Sequence, residues 1–380
     1  MKKLFIISGS FFLIVLAFLA VYNLSFRYNN SDPVADKGRK AELEQQRASE
    51  EEVAPTSVVF QQIIPEDVFQ PAAGENGIFY YSQRDNAIKE ADYDGKHVMT
   101  HIADLPGMPV RIVWSPSRLG ALLLIKSEGA DRWYHADIRN KVVTALKKDV
   151  SRPAWTVLGD RIFYQYTDPV SADRTLNISF PDGSNWQKLT DLGKEDFYIA
   201  TVPQSSLVSF WPKTDGNREG TLETISISGE NRRTILTGRF GADYLWSPNG
   251  RRVLVQSTAK KGGNMLSIGI ADENGGNYRN LLAPTLVSKV AWSKDGETFF
   301  YALPGSFADS VVLPNDYFSL PIHTADTFWK MNIRTGKKER LVPLDEMTET
   351  FDVSSIFLSP TETDLYFVER SSGKLYRITL

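Results

Sequence analysis

The side chains able to do acid–base or metal chemistry are few and scattered. The chain has four histidines, His97, His101, His135 and His323, and no cysteine. The missing thiols remove cysteine nucleophiles, disulfides, thiolate zinc sites and iron–sulfur clusters. His97 and His101 stand four apart in a segment that reads as one strand, where both would face the same side of a sheet. An exposed strand face is the simpler account of them than a zinc pair. Asp92-Tyr93-Asp94-Gly95 and Asp272-Glu273-Asn274-Gly275 open like calcium loops, but neither continues to the bidentate acid that such a loop requires. Ser293-Lys294-Asp295-Gly296 is not followed by the Thr-Trp of a sialidase-type Asp box. H-E-x-x-H, G-x-S-x-G and the phosphate-binding G-x-x-x-x-G-K-[ST] are all missing. The expectation is therefore no catalytic residue, no metal and no cofactor.

A binding surface is the better prospect. The segment Leu303 to Asp326 interrupts an otherwise regular pattern with apolar, aromatic and proline residues, among them Pro304, Pro314 and Pro321. Long loops on rigid scaffolds are common functional sites. Asp316, Tyr317, Phe318 and His323 are its recognition candidates, joined by Arg174, Arg218, Lys260 and Lys261 from loops expected on the same face. The competing expectation for the segment is a plug in a central channel.

The elements that would carry these residues come from a repeat. Leu245-Trp246-Ser247-Pro248-Asn249-Gly250, Trp292-Ser293-Lys294-Asp295-Gly296 and Trp114-Ser115-Pro116 each precede an apolar run. Phe357-Leu358-Ser359-Pro360 and Ala154-Trp155 to Asp160 are degenerate copies, and Ala200 to Pro203 and Phe69 to Pro71 are weaker ones. A second landmark keeps the same phase: Asp92 to Gly95, Arg139-Asn140, Pro181-Asp182-Gly183, Ser228-Gly229, Asp272 to Gly276 and Arg334-Thr335-Gly336 carry hairpin-turn chemistry. Successive turns fall about 43–46 residues apart, except for a last interval of about 61. Each unit reads as four short strands, for example Arg233 to Leu236 as the fourth strand of one unit. Four strands per unit of this length mark a β-propeller blade. The fold class is all-β, a seven-bladed propeller with six blades as the alternative, and Ser57 to Ile63 supplies the missing outer strand of the last blade as a clasp. Trp114, Trp155, Trp246 and Trp292 share one repeat position and read as packing between blades.

The W-S-P-[DN]-G turn before an apolar strand resembles the WD40-like Pro-Asp repeat of bacterial TolB-type propellers, and also the propellers of the prolyl oligopeptidase and dipeptidyl peptidase family. The resemblance implies the fold over about residues 64–380. It does not carry a peptidase activity, since no hydrolase segment with Ser, Asp and His accompanies the repeats.

Ahead of the repeats, Lys2 and Lys3 precede an uncharged run from Leu4 to Tyr22. At 1.5 Å rise per residue it spans roughly 28 Å, close to the ~30 Å hydrocarbon core. Residues 1–26 are expected to be an uncleaved signal anchor with a single membrane pass, residues 27–56 a polar tether, and residues 57–380 the propeller on the extracytoplasmic side. The formal charge of −3, from 43 Lys plus Arg and 46 Asp plus Glu, argues against nucleic acid as a partner. The resulting expectation is a non-enzymatic scaffold that binds a protein or cell-envelope glycan. The alternative is a propeller enzyme acting on a glycan or lactone, marked by charged side chains converging at the channel mouth.

Overall fold

The structure is a computed structural model that describes residues 60–126, 129, 131–347 and 349–380. The expected anchor, the tether and clasp residues 57–59 lie outside the described residues. The described chain is nearly all β. It forms five antiparallel four-stranded sheets and one seven-stranded sheet, with strands paired in chain order apart from one sheet. There Gln61–Gln62 pairs antiparallel with Leu375–Thr379, Gln61 opposite Arg377 and Gln62 opposite Tyr376. Strands from the two ends of the described chain thus share one sheet and cover an edge that would otherwise stand open.

The repeat turn explains where each sheet begins. In Trp246 to Gly250 the Gly250 N–H donates to the Ser247 carbonyl, and the Ser247 hydroxyl accepts from the Arg252 N–H. Gly250 has φ +68°, and a Cβ there would collide with the Pro203 carbonyl, in the turn after the strand Phe197–Thr201. The turn therefore demands glycine on both conformational and steric grounds. The apolar run that follows, Arg252–Thr258, is buried along nearly its whole length, as sheets covered on both faces require.

The expected separate strand at Arg233 to Leu236 is in fact the start of a 14-residue strand, Arg233–Trp246. It pairs with Glu219–Ser226 on one side and Arg252–Thr258 on the other, which fuses two sheets into the seven-stranded one. Gly241, at φ +61°, lies in the bulge between Phe240 and Asp243, where the ladder to Arg252–Thr258 shifts register. A second difference concerns the histidines. His97 precedes the strand Met99–Ile102, with φ 49° and its Nδ1 2.7 Å from Asp92, so it belongs to the hairpin turn. His101 lies in the strand, 2.8 Å from Glu90 and stacked on Phe79. The two do not share a strand face, because turn geometry rather than spacing places the first.

Apolar clusters lie between successive sheets. Phe79, Tyr81, Leu123 and Ile112 join one pair; Leu254, Ile270, Phe299 and Tyr301 join another; and Tyr80, Ile78, Tyr366 and Leu375 join the last sheet to the first. The innermost strands also touch in succession: Val68–Ala73 with Pro109–Trp114, then Val150–Trp155, then Phe197–Thr201, and at the far side Val353–Leu358 returns to Val68–Ala73. The architecture is a β-propeller closed on itself, as the repeat resemblance implied.

Candidate active site

Strand register aligns one position in every innermost strand. Ala73, Trp114, Trp155, Thr201, Trp246, Trp292 and Leu358 each pair with the opening segment of the next strand, opposite Ile78, Ala121, Ile162, Val208, Val253, Phe299 and Leu365. Three residues earlier stand Gln70, Arg111, Arg152, Tyr198, Asp243, Lys289 and Ser355, polar without exception. Several of these strands carry a bulge at that point, between Phe69 and Ala72, Ser151 and Ala154, and Phe240 and Asp243. Bulges re-aim side chains and gather near active sites.

Four of these residues, Arg111, Arg152, Tyr198 and Asp243, form with Asp196 a charged group on the innermost strands, which is called the channel group. Arg152 Nε donates to Asp196 Oδ1 at 3.1 Å with a second bond to Oδ2, and its guanidinium lies 4.7 Å from the Tyr198 ring centroid. Gln165 Nε2 holds the same Asp196 oxygen at 3.0 Å. Burial opposes the Arg152 charge, but the Asp196 carboxylate more than offsets it, and the guanidinium pKa stands above its ordinary value. Asp196 is likewise pushed up by burial and brought below the ordinary carboxylate range by Arg152 and Gln165. Asp243 behaves in the opposite way. Burial raises its pKa to about 6, against bonds to Oδ1 from Trp211 Nε1 at 3.1 Å and the Tyr244 N–H at 3.0 Å, and against the field of Arg111. Oδ2 has no hydrogen-bond partner among the described residues. Arg111 is exposed to solvent, yet the protein around its guanidinium and the Arg152 charge both lower its pKa, and it makes no side-chain hydrogen bond or ion pair among the described residues. Tyr198 is raised, first by burial, so its phenol stays protonated at neutral pH.

The lysine of this column is used differently. Lys289 is fully buried and bonds Asp326 Oδ2 at 2.6 Å and Thr324 Oγ1 at 2.9 Å, with Asp352 Oδ1 at 3.4 Å. Burial raises Asp326, opposed by Lys289. The roof over this group is the interrupting segment. Tyr317, from the short helix Asn315–Ser319, donates to Asp352 Oδ1 at 3.1 Å, and Arg370 lies over its ring. The segment then reaches other loops: the Gly216 N–H donates to Asn315 Oδ1 at 2.8 Å, Asn315 Nδ2 donates to Asp215 at 2.9 Å, and the Leu313 N–H donates to the Gly263 carbonyl. Phe307, Val311, Leu313 and Tyr317 form a small core with Leu266 and Leu286. The segment is a fastened roof over the Lys289 sector, with its own core.

The residues singled out from sequence divide accordingly. Asp316 accepts the Val312 N–H and holds the roof turn; Tyr317 is buried; Phe318 is 64% exposed; His323 is exposed, its Nδ1 3.5 Å from Asp352. Arg174 lies in the field of Asp196, beside the channel group. Arg218 pairs with Glu195 at 2.7 Å, and Lys260 and Lys261 are exposed. Three of the repeat tryptophans donate across sheets, Trp114 to the Gln70 carbonyl, Trp155 to the Val113 carbonyl and Trp292 to the Leu245 carbonyl, while Trp246 donates to Ser209 Oγ within the seven-stranded sheet. Arg111, Arg152, Asp196, Tyr198, Asp243 and Lys289 were not singled out. The signal for five of the six was present, a polar residue three before each repeat Trp position; Asp196 lies outside that column.

No protein-family model matches the chain, and no curated protein matches it. Solved structures do match in fold. An oligogalacturonate lyase in complex with manganese is 14% identical, with a TM-score of 0.59 over 86% of this chain and 91% of that one. The oligogalacturonate lyase of Vibrio parahaemolyticus is 10% identical, with a TM-score of 0.60 over 86% and 94%. The β-propeller domain of Myceliophteria thermophila Cps50 is 11% identical, with a TM-score of 0.56 over 86% and 98%. At these identities the likeness carries the fold, a β-propeller.

These findings correct the non-enzymatic scaffolding expectation. Two of the propellers that superpose over most of the chain are lyases, so the propeller fold does not by itself mark a non-enzymatic scaffold. The group on the innermost strands is not a contiguous motif, because it is assembled from four separate sheet segments. Manganese does not fit that group: among the described residues no three His, Asp or Glu side chains gather in a metal-binding arrangement, and two guanidiniums occupy the site.

Proposed function

We propose that the protein is a propeller enzyme that cleaves an acidic glycan by elimination at the channel group. The observation that carries this reading is an unpartnered guanidinium, Arg111, in the field of a carboxyl group, Asp243, whose pKa is about 6. Guanidiniums bind carboxylates in a planar, bidentate manner, so Arg111 and Arg152 suit the carboxylate of a uronate sugar. That contact stabilises the charge that develops when the carbon next to the carboxylate loses its proton. Asp243 Oδ2 takes the proton, since a group titrating near neutral pH suits general base catalysis. As the C–H electrons form a carbon–carbon double bond, the glycosidic C–O bond breaks, and the protonated Tyr198 phenol supplies the proton to the leaving oxygen. The likeness to oligogalacturonate lyases supports the substrate class.

Seven blades follow if Arg233–Trp246 is counted in both of its sheets. Residues 4–22 would anchor this ring to the cell membrane, with the propeller on the extracytoplasmic side. Protease treatment of intact cells tests the placement, with digestion of the propeller as the expected result. The activity is tested on the full chain in detergent with oligogalacturonates and other polyuronates, following ultraviolet absorbance of the unsaturated product. Turnover that falls at least a hundredfold in both Arg111→Ala and Asp243→Asn is expected. Failure to form unsaturated product from any polyuronate overturns the reading.

A further inference from the structure

A second feature lies beside the channel group. Between the sheet ending in Val142–Ala145 and the sheet Val150–Gly193 is a cavity of about 230 Å³. Tyr164, Tyr166 and Trp186 line it, together with Lys147, Asn177 and Asp173. Trp186 is 61% exposed, an unusual place for so large an apolar ring without a ligand. The Lys147 ammonium lies over both rings, its Nζ 4.4 Å from the Tyr166 centroid and 6.0 Å from that of Trp186. Lys147 has no carboxylate partner among the described residues. The cavity shares elements with the channel group, since its lining includes Val150, two residues before Arg152, and Asp173 and Thr175, which flank Arg174.

We propose that this cavity is a second subsite that holds one ring of an acidic oligosaccharide. The volume is below the roughly 300–1,000 Å³ of pockets for drug-sized ligands, which suits a single sugar ring rather than a chain. The apolar face of the sugar stacks on Tyr166 and Trp186, its hydroxyls reach Asp173 and Asn177, and its carboxylate meets the Lys147 ammonium. The proposal rests on the acidic-glycan reading of the channel for its choice of ligand, but its residues are separate from those of the channel.

The test uses the full chain in detergent and oligogalacturonates of defined length, with cello-oligosaccharides as the neutral comparison. Binding is measured by calorimetry in an Asp243→Asn background, so that substrate is not consumed. Trp186→Ala and Lys147→Ala should each weaken binding of a long oligogalacturonate roughly tenfold. In protein with Asp243 intact, the same changes should leave turnover of the shortest cleaved oligomer unchanged, whereas Arg111→Ala should reduce it. Unaltered binding in both cavity variants overturns the proposal, as does failure of the parent to bind any oligogalacturonate or equal binding of the neutral series. Binding that depends on Trp186 without any turnover would uphold the cavity and overturn the channel reading instead.

Discussion

Arg111 and Asp243 act on each other through space without an ion pair: the guanidinium lowers the carboxyl pKa, while the hydrogen bonds to Asp243 come from Trp211 and Tyr244. A contact at bonding distance would tie up both groups. Held apart, each can still meet a ligand, one as an anion receptor and the other as a base.

Removing that field has a defined direction. In Arg111→Met the Asp243 pKa should rise above about 6, since the attraction that opposes burial is gone. The acid limb of the pH–rate profile for residual turnover should therefore move to higher pH. A limb that stays in place would separate Asp243 from the titrating group.

Asp243 also links stability to pH. Its folded pKa, about 6, lies above the ordinary 3.8, so the folded state holds this proton more tightly than the unfolded state. The contribution is complete below the lower value and is lost as pH rises through the upper one, up to about 3 kcal/mol. Asp243→Asn should thus gain stability relative to the parent between about pH 4 and pH 7. Paired urea titrations at the two ends of that window measure the difference.

Lys289 and Asp326 are paired at 2.6 Å with both side chains inaccessible to solvent. Breaking one partner strands the other, so Lys289→Met should cost about 3–5 kcal/mol. The double change Lys289→Met with Asp326→Leu should recover most of that loss, because two apolar groups replace the pair. A double-mutant cycle by chemical denaturation yields the coupling, and additive losses would contradict a paired role.

Trp246 bonds Ser209 of the preceding sheet segment at 2.9 Å through its indole N–H. Trp246→Phe keeps most of the apolar area but leaves that hydroxyl without its donor. A loss of about 1 kcal/mol is expected for the bond, plus a smaller packing term. A loss near zero in thermal unfolding would show that the contact contributes packing alone.

The fold was largely legible. The Trp-Ser-Pro turn and the Asn/Asp-Gly hairpins recur in phase because local backbone conformation is written in neighbouring residues. Two local departures were not. The Arg233–Trp246 strand runs through where two were expected, since pairing on both sides overrides the boundary. His97 leaves its strand because Asp92 captures it in the turn. The channel group was hardly legible: Arg111, Arg152, Tyr198 and Asp243 are each a single polar residue in a β-rich segment, at least 41 positions from the next. The aligned column they form becomes visible only once register is known.

By itself, the sequence determined what short-range chemistry can encode: an all-β chain, the phase of its repeat, the turns, the tryptophans at one repeated position and the interrupting segment at Leu303 to Asp326. Tertiary structure decided which of the chain's charges meet. Closing the ring brings Arg111, Arg152, Asp196 and Asp243 into one another's fields, and burial there moves Asp243 toward neutral pH. The same closure seals Lys289 beneath the roof. Electrostatic effects of this kind depend on separation and on solvent access, and neither quantity exists along a one-dimensional chain.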